Sequence, residues 1–316
     1  MQEVILETGE HRRDVVRKAV ERLGEDFIDR IKSTETILLK VNLVHHEHQL
    51  ASTHIDAVRG VVDVIRLHSR AQVYVGDASF HGTVSAFSHF GYDQLLSEYD
   101  GVHLIDLNED ETVDGYSLKR DGSKNSIKRS ALAHSVDLRI SLAPMKVHRD
   151  MGVSLSVKNW TVGTWVVPPR NSHLGRVWAR WPWLYEEGPW AMHTSVAELY
   201  EQLPCDIAIV DGMQAMEGDG PTEGTAVAMN TVLAGFDAVA VDAVAATLMG
   251  FDPGDIGYLT IAAEKGLGSI DMTKIDVPPI ELAQRTRAFL RPPVLADRLL
   301  AWKSEDPRVT ISSINE

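Results

Sequence analysis

The stretch Thr36-Ile37-Leu38-Leu39-Lys40-Val41-Asn42-Leu43-Val44 decides how this chain is read. Its period of two places Ile37, Leu39, Val41 and Leu43 on one face of a strand and Leu38, Lys40 and Asn42 on the other. Upstream, residues 14–30 carry Val16, Val20, Leu23 and Phe27 at spacings of three and four, the pattern of an amphipathic helix. Downstream, Thr53 with Asp56 three residues on predicts a capping box, and the helix behind it lines up Val58, Val61, Val62 and Ile65.

The same grammar repeats along the chain. Residues 72–75 predict a short strand running into Gly76-Asp77, and 102–107 predict another. Residues 137–142 predict a strand that stops at Pro144, and 205–210 one that stops at Asp211-Gly212. Residues 237–249 form an Ala/Val-rich helix expected to be buried around most of its circumference. Strands alternating with helices place the chain in the α/β class, a parallel or mixed sheet sandwiched by helices. Residues 1–277 read as one such domain, interrupted at 159–190 by an irregular Trp/Arg-rich, lid-like insertion. Residues 106–125 are polar and predict an exposed hairpin turning at Asp121-Gly122. Residues 278–316 read as a peripheral C-terminal tail with one helix near 283–302.

Composition narrows the function. Of 316 residues, 44% are hydrophobic and 24% charged, an ordinary globular mixture. The 45 acidic side chains outnumber the 31 lysines and arginines, giving a net charge of −14 that suits no nucleic-acid partner. The single cysteine, Cys205, excludes internal disulfides, cysteine-ligated iron–sulfur clusters and cysteine zinc sites. No apolar run approaches the roughly 20 residues of a membrane span, so the expectation is a cytoplasmic protein, with homo-oligomers left open. The run Gly218-Asp219-Gly220-Pro221-Thr222-Glu223-Gly224 lacks Gly-Lys-Ser/Thr, and Glu223 stands where the dinucleotide fingerprint needs glycine. ATP and NAD binding by those motifs is therefore rejected.

Polar residues gather at the predicted carboxyl ends of strands, where open α/β sheets bind ligands: Lys40 and Asn42, Asp77, Lys146 and His148, and Asp211. Between residues 139 and 180 there are seven lysines and arginines, Arg149 and Arg170 among them, against one acid, Asp150. A basic segment in an acidic chain focuses small anions, unless its cations pair with acids elsewhere in the fold. Six of the seven tryptophans fall at 160–190, open to three readings: core, exposed interface, or a lid over a pocket, which the Pro-broken run at 178–183 favours. His54, His148 and His173 stand beside the strand ends or the basic segment as candidate acid/base groups. Lysines 40, 146 and 158, crowded by cations, are candidates for a lowered pKa and for base or nucleophile chemistry. His45, His46 and His48 bracket Glu47, a grouping that suits a divalent metal but matches no established ligand spacing, and no metal ligand is assigned.

The ordered series Leu39-Lys40-Val41-Asn42-Leu43, Thr53-His54, Gly76-Asp77, Lys146-Val147-His148, Lys158-Asn159 and His173 continues through Asp211-Gly212 and Met216-Glu217-Gly218-x-Gly220-Pro221-x-x-Gly224. Ala240-Val241-Asp242 and Gly266-Leu267-Gly268 complete it. This series resembles the domain of unknown function 362 family from about Ile37 to Gly268. The resemblance implies a shared site for a polar small molecule built from Lys40, Asn42, His54, Asp77, Lys146, His148, Lys158, Asn159, His173, Asp211 and Glu217. Many members of that family carry ferredoxin-like cysteines, from which this chain departs. The Lys-x-His segment followed by a lysine-bearing loop and a histidine is also similar to lactate racemase-like proteins, which use a nickel pincer cofactor tethered to lysine.

The expectation is an enzyme for a small anionic metabolite, bearing carboxylate or phosphate, that works by His/Lys acid–base or lysine-assisted chemistry. Isomerase, lyase and group-transfer reactions all fit. Lys146, His148, Lys158, His173, Asp211 and Glu217 are the catalytic candidates. Lys40, Asn42, His54, Asp77, Asn159, Arg149, Arg170 and Trp165 are the candidates for binding substrate. The alternatives are a non-catalytic protein that binds an anion or cofactor, and a redox protein whose cofactor is held without cysteine.

Overall fold

In the computed structural model, which describes residues 1–304 with Asp306 and Pro307, the alternation around Leu38 divides two cores. Ile37, Leu39, Val41 and Leu43 pack with Val16, Val20, Phe27, Val58, Val61 and Ile65. Leu38 faces the other way, into a cluster with Trp160, Trp165, Val196 and Val244. Lys40 and Asn42 share the Leu38 side of the strand, so the pleat alone commits them to the second face.

The main sheet is built from β1 (Ile5–Thr8), β2 (Thr36–Lys40), β3 (Gln72–Asp77), β4 (Val102–Asp106), β5 (Leu138–His148), β6 (Ile207–Glu217) and β7 (Thr231–Gly235). Their order across the sheet is β1-β7-β6-β5-β2-β3-β4. The strands from β4 to β6 run parallel, while β7 is antiparallel to both β6 and β1. Helices α1 (Arg12–Glu21), α2 (Gly24–Lys32) and α3 (Ile55–His68) cover one face; α4 (Ser156–Val162), α5 (Pro189–Gln202) and α6 (Ala238–Leu248) cover the other. This is the α/β sandwich expected from the sequence.

The chain steps outward from β2 through β3 to β4, then returns to the opposite side of β2 with β5 and β6. Neighbouring crossovers diverge between β2 and β5, which leaves a crevice beyond their carboxyl ends.

Several elements differ from the sequence reading, each for a local reason. The helix expected over 14–30 is two, because Gly24 takes a left-handed φ of 74° between them. The cap of α3 is His54, whose Nδ1 accepts from the Asp56 N–H at 3.1 Å, not Thr53. Thr53 Oγ1 instead accepts from the Asn42 N–H at 2.9 Å and donates to the Leu142 carbonyl at 3.0 Å, fixing the chain just past β2. Strand β5 passes through Pro144 to His148, because the ladder to β6 shifts register between Asp211 and Met216, just past the Asp211–Pro144 pair. A residue without an N–H is tolerated at such an irregularity. β6 likewise continues beyond Asp211-Gly212 to Glu217.

A hairpin turning at Asp121-Gly122 is present, but it spans Thr112–Leu118 and Lys124–Ser130, is extended by Trp165–Val166, and is not simply exposed: Ser117, Leu118, Ile127 and Arg129 are buried. Beyond residue 278, where one helix in a peripheral tail is expected, the described residues form three short helices at Pro279–Arg285, Leu295–Arg298 and Ala301–Ser304. Phe289, Leu295, Leu299 and Trp302 from this segment are buried in the second core. No helix among the described residues is long and apolar enough to cross a membrane.

Candidate functional site

At the crevice the end of β2 meets the end of β3 and the first turns of α4. Lys40 is fully buried, with its ammonium 2.6 Å from Asp77 Oδ1. It also donates to Asn159 Oδ1 on α4 at 2.9 Å. Asn159 answers by donating to the Lys40 carbonyl at 3.2 Å and to Ser141 Oγ at 3.0 Å. Asp77 Oδ2 accepts from the Leu43 N–H at 2.6 Å. The chain passes so close that a Cβ at Gly163 would strike the Lys40 ammonium and lie 2.6 Å from the Asn159 carbonyl. α4 itself is held at its start by Asp242, whose two carboxylate oxygens accept from the Ser156 and Val157 N–H groups at 2.9 Å each.

On this platform β5 delivers Lys146 and His148, and α4 delivers Lys158, into one cavity of about 450 Å³. Lys146 donates to Asn42 Oδ1 at 2.6 Å and to the Ala51 carbonyl at 2.7 Å. Burial, reinforced by neighbouring Lys158, holds its pKa well below that of a free lysine. His148 Nδ1 accepts from the Asp150 N–H at 3.1 Å. A neutral ring then carries its proton on Nε2, which lies 3.1 Å from the Tyr185 hydroxyl. Burial, with Lys158 and Lys146 close by, keeps this imidazole neutral, and burial raises the Tyr185 phenol so that it stays protonated.

Lys158 differs from the other two lysines. It is only 7% exposed and lines the cavity, and its ammonium has no hydrogen-bond or ion-pair partner among the described residues. Burial lowers its pKa to about 8, with Asp150 pulling weakly the other way. The acids nearby are already committed, Asp77 to Lys40 and Asp150 to Arg298. Arg180, brought to about 10 by burial, donates only to neutral acceptors: the Trp165 and Trp178 carbonyls at 2.7 and 2.9 Å and Asn108 Oδ1 at 3.0 Å. Lys146, Lys158 and Arg180 thus line a cavity in which Asp77 and Asp150 are each paired with another cation, while Glu223 stands exposed in the lining.

The tryptophan-rich stretch divides its labour. Trp160 and Trp165 are core, while Trp178, Trp181 and Tyr185 wall the cavity. The short hairpin Arg170–Ser172 with Gly175–Val177 reaches over the mouth through Leu174.

The structure brings Asn42, Asp77, Lys146, His148, Arg149, Lys158 and Asn159 to the cavity, with Lys40 directly behind them. The other candidates lie elsewhere. His173 sits exposed at the hairpin turn, and Arg170 is exposed beside it with a 3.5 Å contact to the Ala179 carbonyl. Trp165 is buried and contributes its carbonyl to Arg180. His54 caps α3, Asp211 pairs with Arg12 at 2.9 Å, and Glu217 accepts from the Leu290 N–H at 2.8 Å.

Tyr185 and Arg180 also line the cavity, and the sequence patterns single out neither as an individual site residue. Arg180 was visible only as one charge among seven, and nothing in the spacing around Tyr185 points at His148.

The loop histidines form a ring cluster at the mouth. His45 stacks on His48 with centroids 4.0 Å apart and planes within 16°, and His81 closes against His45 and His46. One ligand atom each from His45, His48 and Glu223 lie within 4.8 Å of one another. Rings stacked face to face hold their lone pairs in parallel planes, so one cation does not lie in both ring planes; the cluster is an aromatic wall.

With this geometry in place, comparison with known proteins adds the following. The family model described as Domain of unknown function (DUF362) matches residues 37–247, about two-thirds of the chain. Thylakoid-associated protein sll1697 of Synechocystis sp. (strain ATCC 27184 / PCC 6803 / Kazusa) is 26% identical over 243 residues, covering 75% of this chain and 70% of that protein. The lactate racemase apoprotein from Thermoanaerobacterium thermosaccharolyticum superposes with a TM-score of 0.47 at 17% identity over 73% of this chain. The chain spans about half of that protein, 54% of its length.

Proposed function

This chain belongs to the DUF362 family, and from that premise we propose that it is an enzyme whose crevice binds a small carboxylate or phosphate and transfers a proton beside the bound anion. The observation that carries this reading is Lys158, a buried amine facing the cavity with no partner among the described residues. Burial brings its pKa to about 8, so near neutral pH this amine can lose and regain a proton, while Lys146 beside it is the partner for the anion.

In this reading Lys146, steadied by Asn42, takes one oxygen of the anion. Lys158 in its neutral form accepts a proton from the substrate. The Tyr185 hydroxyl, receiving a hydrogen bond from His148 Nε2–H, donates to the oxyanion that develops. Lys40, Asp77 and Asn159 do not touch substrate; they hold Asn42 and α4 in register. Isomerisation and elimination both use these steps.

The test is solvent exchange. A panel of 2-substituted carboxylates incubated in D2O should lose the proton on carbon 2, followed by proton NMR. Lys158→Met should slow that exchange by about 10²-fold or more. Saturable binding of these acids with no exchange in any of them would assign the chain to anion binding without catalysis. Absence of binding would remove the anion reading altogether.

A further inference from the structure

Three rings connect the floor of the cavity to its mouth. His148 is parallel to Tyr185 within 5°, with centroids 5.9 Å apart. Tyr185 stacks on Trp181 at 4.6 Å and 20°. Trp181 ends the column half-exposed, at 50%, and Leu174 faces the same mouth at 51%. Exposed apolar side chains gathered at one cavity rim mark a binding surface, unlike those scattered singly elsewhere. Trp178 and Phe80 continue the apolar wall inward. The volume of about 450 Å³ falls in the range of roughly 300–1,000 Å³ found for drug-sized ligands, far more than a three-carbon acid fills.

We propose that the ligand is an aromatic anion: an acid group held at Lys146, with Lys158 beside it, and a flat ring lying against the open side of Trp181 between Leu174 and Trp178. The inference rests on the anion reading above and names its substrate class. Charge and ring column stand at opposite ends of one cavity, so the ligand is amphipathic and enters acid first. Stacking on Trp181 takes advantage of a π face that Tyr185 covers on one side only.

The probes are acetate, decanoate and 2-naphthoate, with 2-naphthalenemethanol as the uncharged control, read by quenching of tryptophan fluorescence. In the wild type, 2-naphthoate should bind at least about tenfold tighter than acetate and tighter than decanoate. Trp181→Leu keeps an apolar side chain without the π face, and should bring the acetate-to-naphthoate ratio of Kd down about tenfold. Leu174→Ala should reduce the same ratio and offers a second route if the first variant folds poorly. Naphthoate binding no tighter than acetate, or decanoate equal to naphthoate in both wild type and Trp181→Leu, overturns the aromatic assignment while leaving the anion site standing. 2-Naphthalenemethanol binding as tightly as 2-naphthoate, or no acid binding at all, sinks the anion reading and this inference with it.

Discussion

The ammonium of Lys40 lies 2.6 Å from the Asp77 carboxylate with both side chains almost wholly buried, joining the carboxyl ends of two adjacent parallel strands. Each charge is also hydrogen-bonded beyond the pair, Lys40 to Asn159 and Asp77 to the Leu43 N–H. Burying both ions is costly, and the pair repays that cost only while it is intact. It is therefore more a device for positioning Asn159 and the residues after β2 than a source of net stability.

Lys40→Met should leave Asp77 buried without its cation and cost about 3–5 kcal/mol. The double variant Lys40→Met with Asp77→Asn removes both charges and should recover much of that loss. Urea denaturation of the three proteins checks this. Equal losses in the single and double variants would show that the pair does not couple.

Lys158 makes a prediction of opposite sign. Its pKa falls from 10.5 unfolded to about 8 folded, so the folded chain binds fewer protons between those values. The group's contribution to stability is complete above 10.5 and lost as pH falls through 8. At pH 7 Lys158→Met should therefore be more stable than the parent, by on the order of 2–3 kcal/mol, and the gap should close towards pH 10.5. Denaturation at both pH values measures it. Reductive methylation with ¹³C-formaldehyde should show one lysine titrating near 8, absent in the variant.

These two lysines illustrate what the sequence makes legible. The alternation from Ile37 to Leu43 already tells which face receives Lys40 and Asn42, because a pleat admits only two directions. The α/β class follows from the alternation of strands with helices, whereas the order of strands, and with it the place of the crevice, comes from the pairing seen in the structure. Asp77 and Lys146 are identifiable as polar residues at strand ends, whereas Asn159, in the middle of α4, is reached only through the family resemblance. Asp211, Glu217 and His54 carry the same local signal yet serve Arg12, the Leu290 N–H and a helix cap. The continuation of β5 and β6 past Pro144 and Gly212 separates the two groups, and that depends on a pairing shift which period and composition do not encode. Tyr185 escapes for a related reason: its ring matters through His148, 37 residues away in a stretch without periodicity.

Arg180 fixes the tryptophan-rich stretch with three hydrogen bonds from one planar group, to Trp165, Trp178 and Asn108. Lysine has a single nitrogen and cannot span three such acceptors. Arg180→Lys should cost about 2 kcal/mol and raise amide hydrogen exchange over residues 165–185. Unchanged exchange there would show that the stretch is held by its apolar contacts alone.

Gly163 is where backbone passes the buried lysine without room for a side chain. Gly163→Ala should destabilise by about 1–3 kcal/mol and displace the Lys40 ammonium from Asp77. A crystal structure of the variant with the pair still in place, at unaltered melting temperature, would contradict this.

The contacts that assemble the crevice are distant along the chain. Lys146 lies 104 residues from Asn42, Lys40 lies 119 from Asn159, and Arg298, which occupies Asp150, lies 148 from it. Each such contact must close a long loop before it returns any energy, and topologies dominated by such contacts fold slowly. The cavity accordingly exists only once segments far apart in the chain have docked. A chain halted before Arg298 would leave Asp150 unneutralised opposite Lys158, so the chemistry of the crevice waits on the arrival of a segment that contributes nothing to its lining.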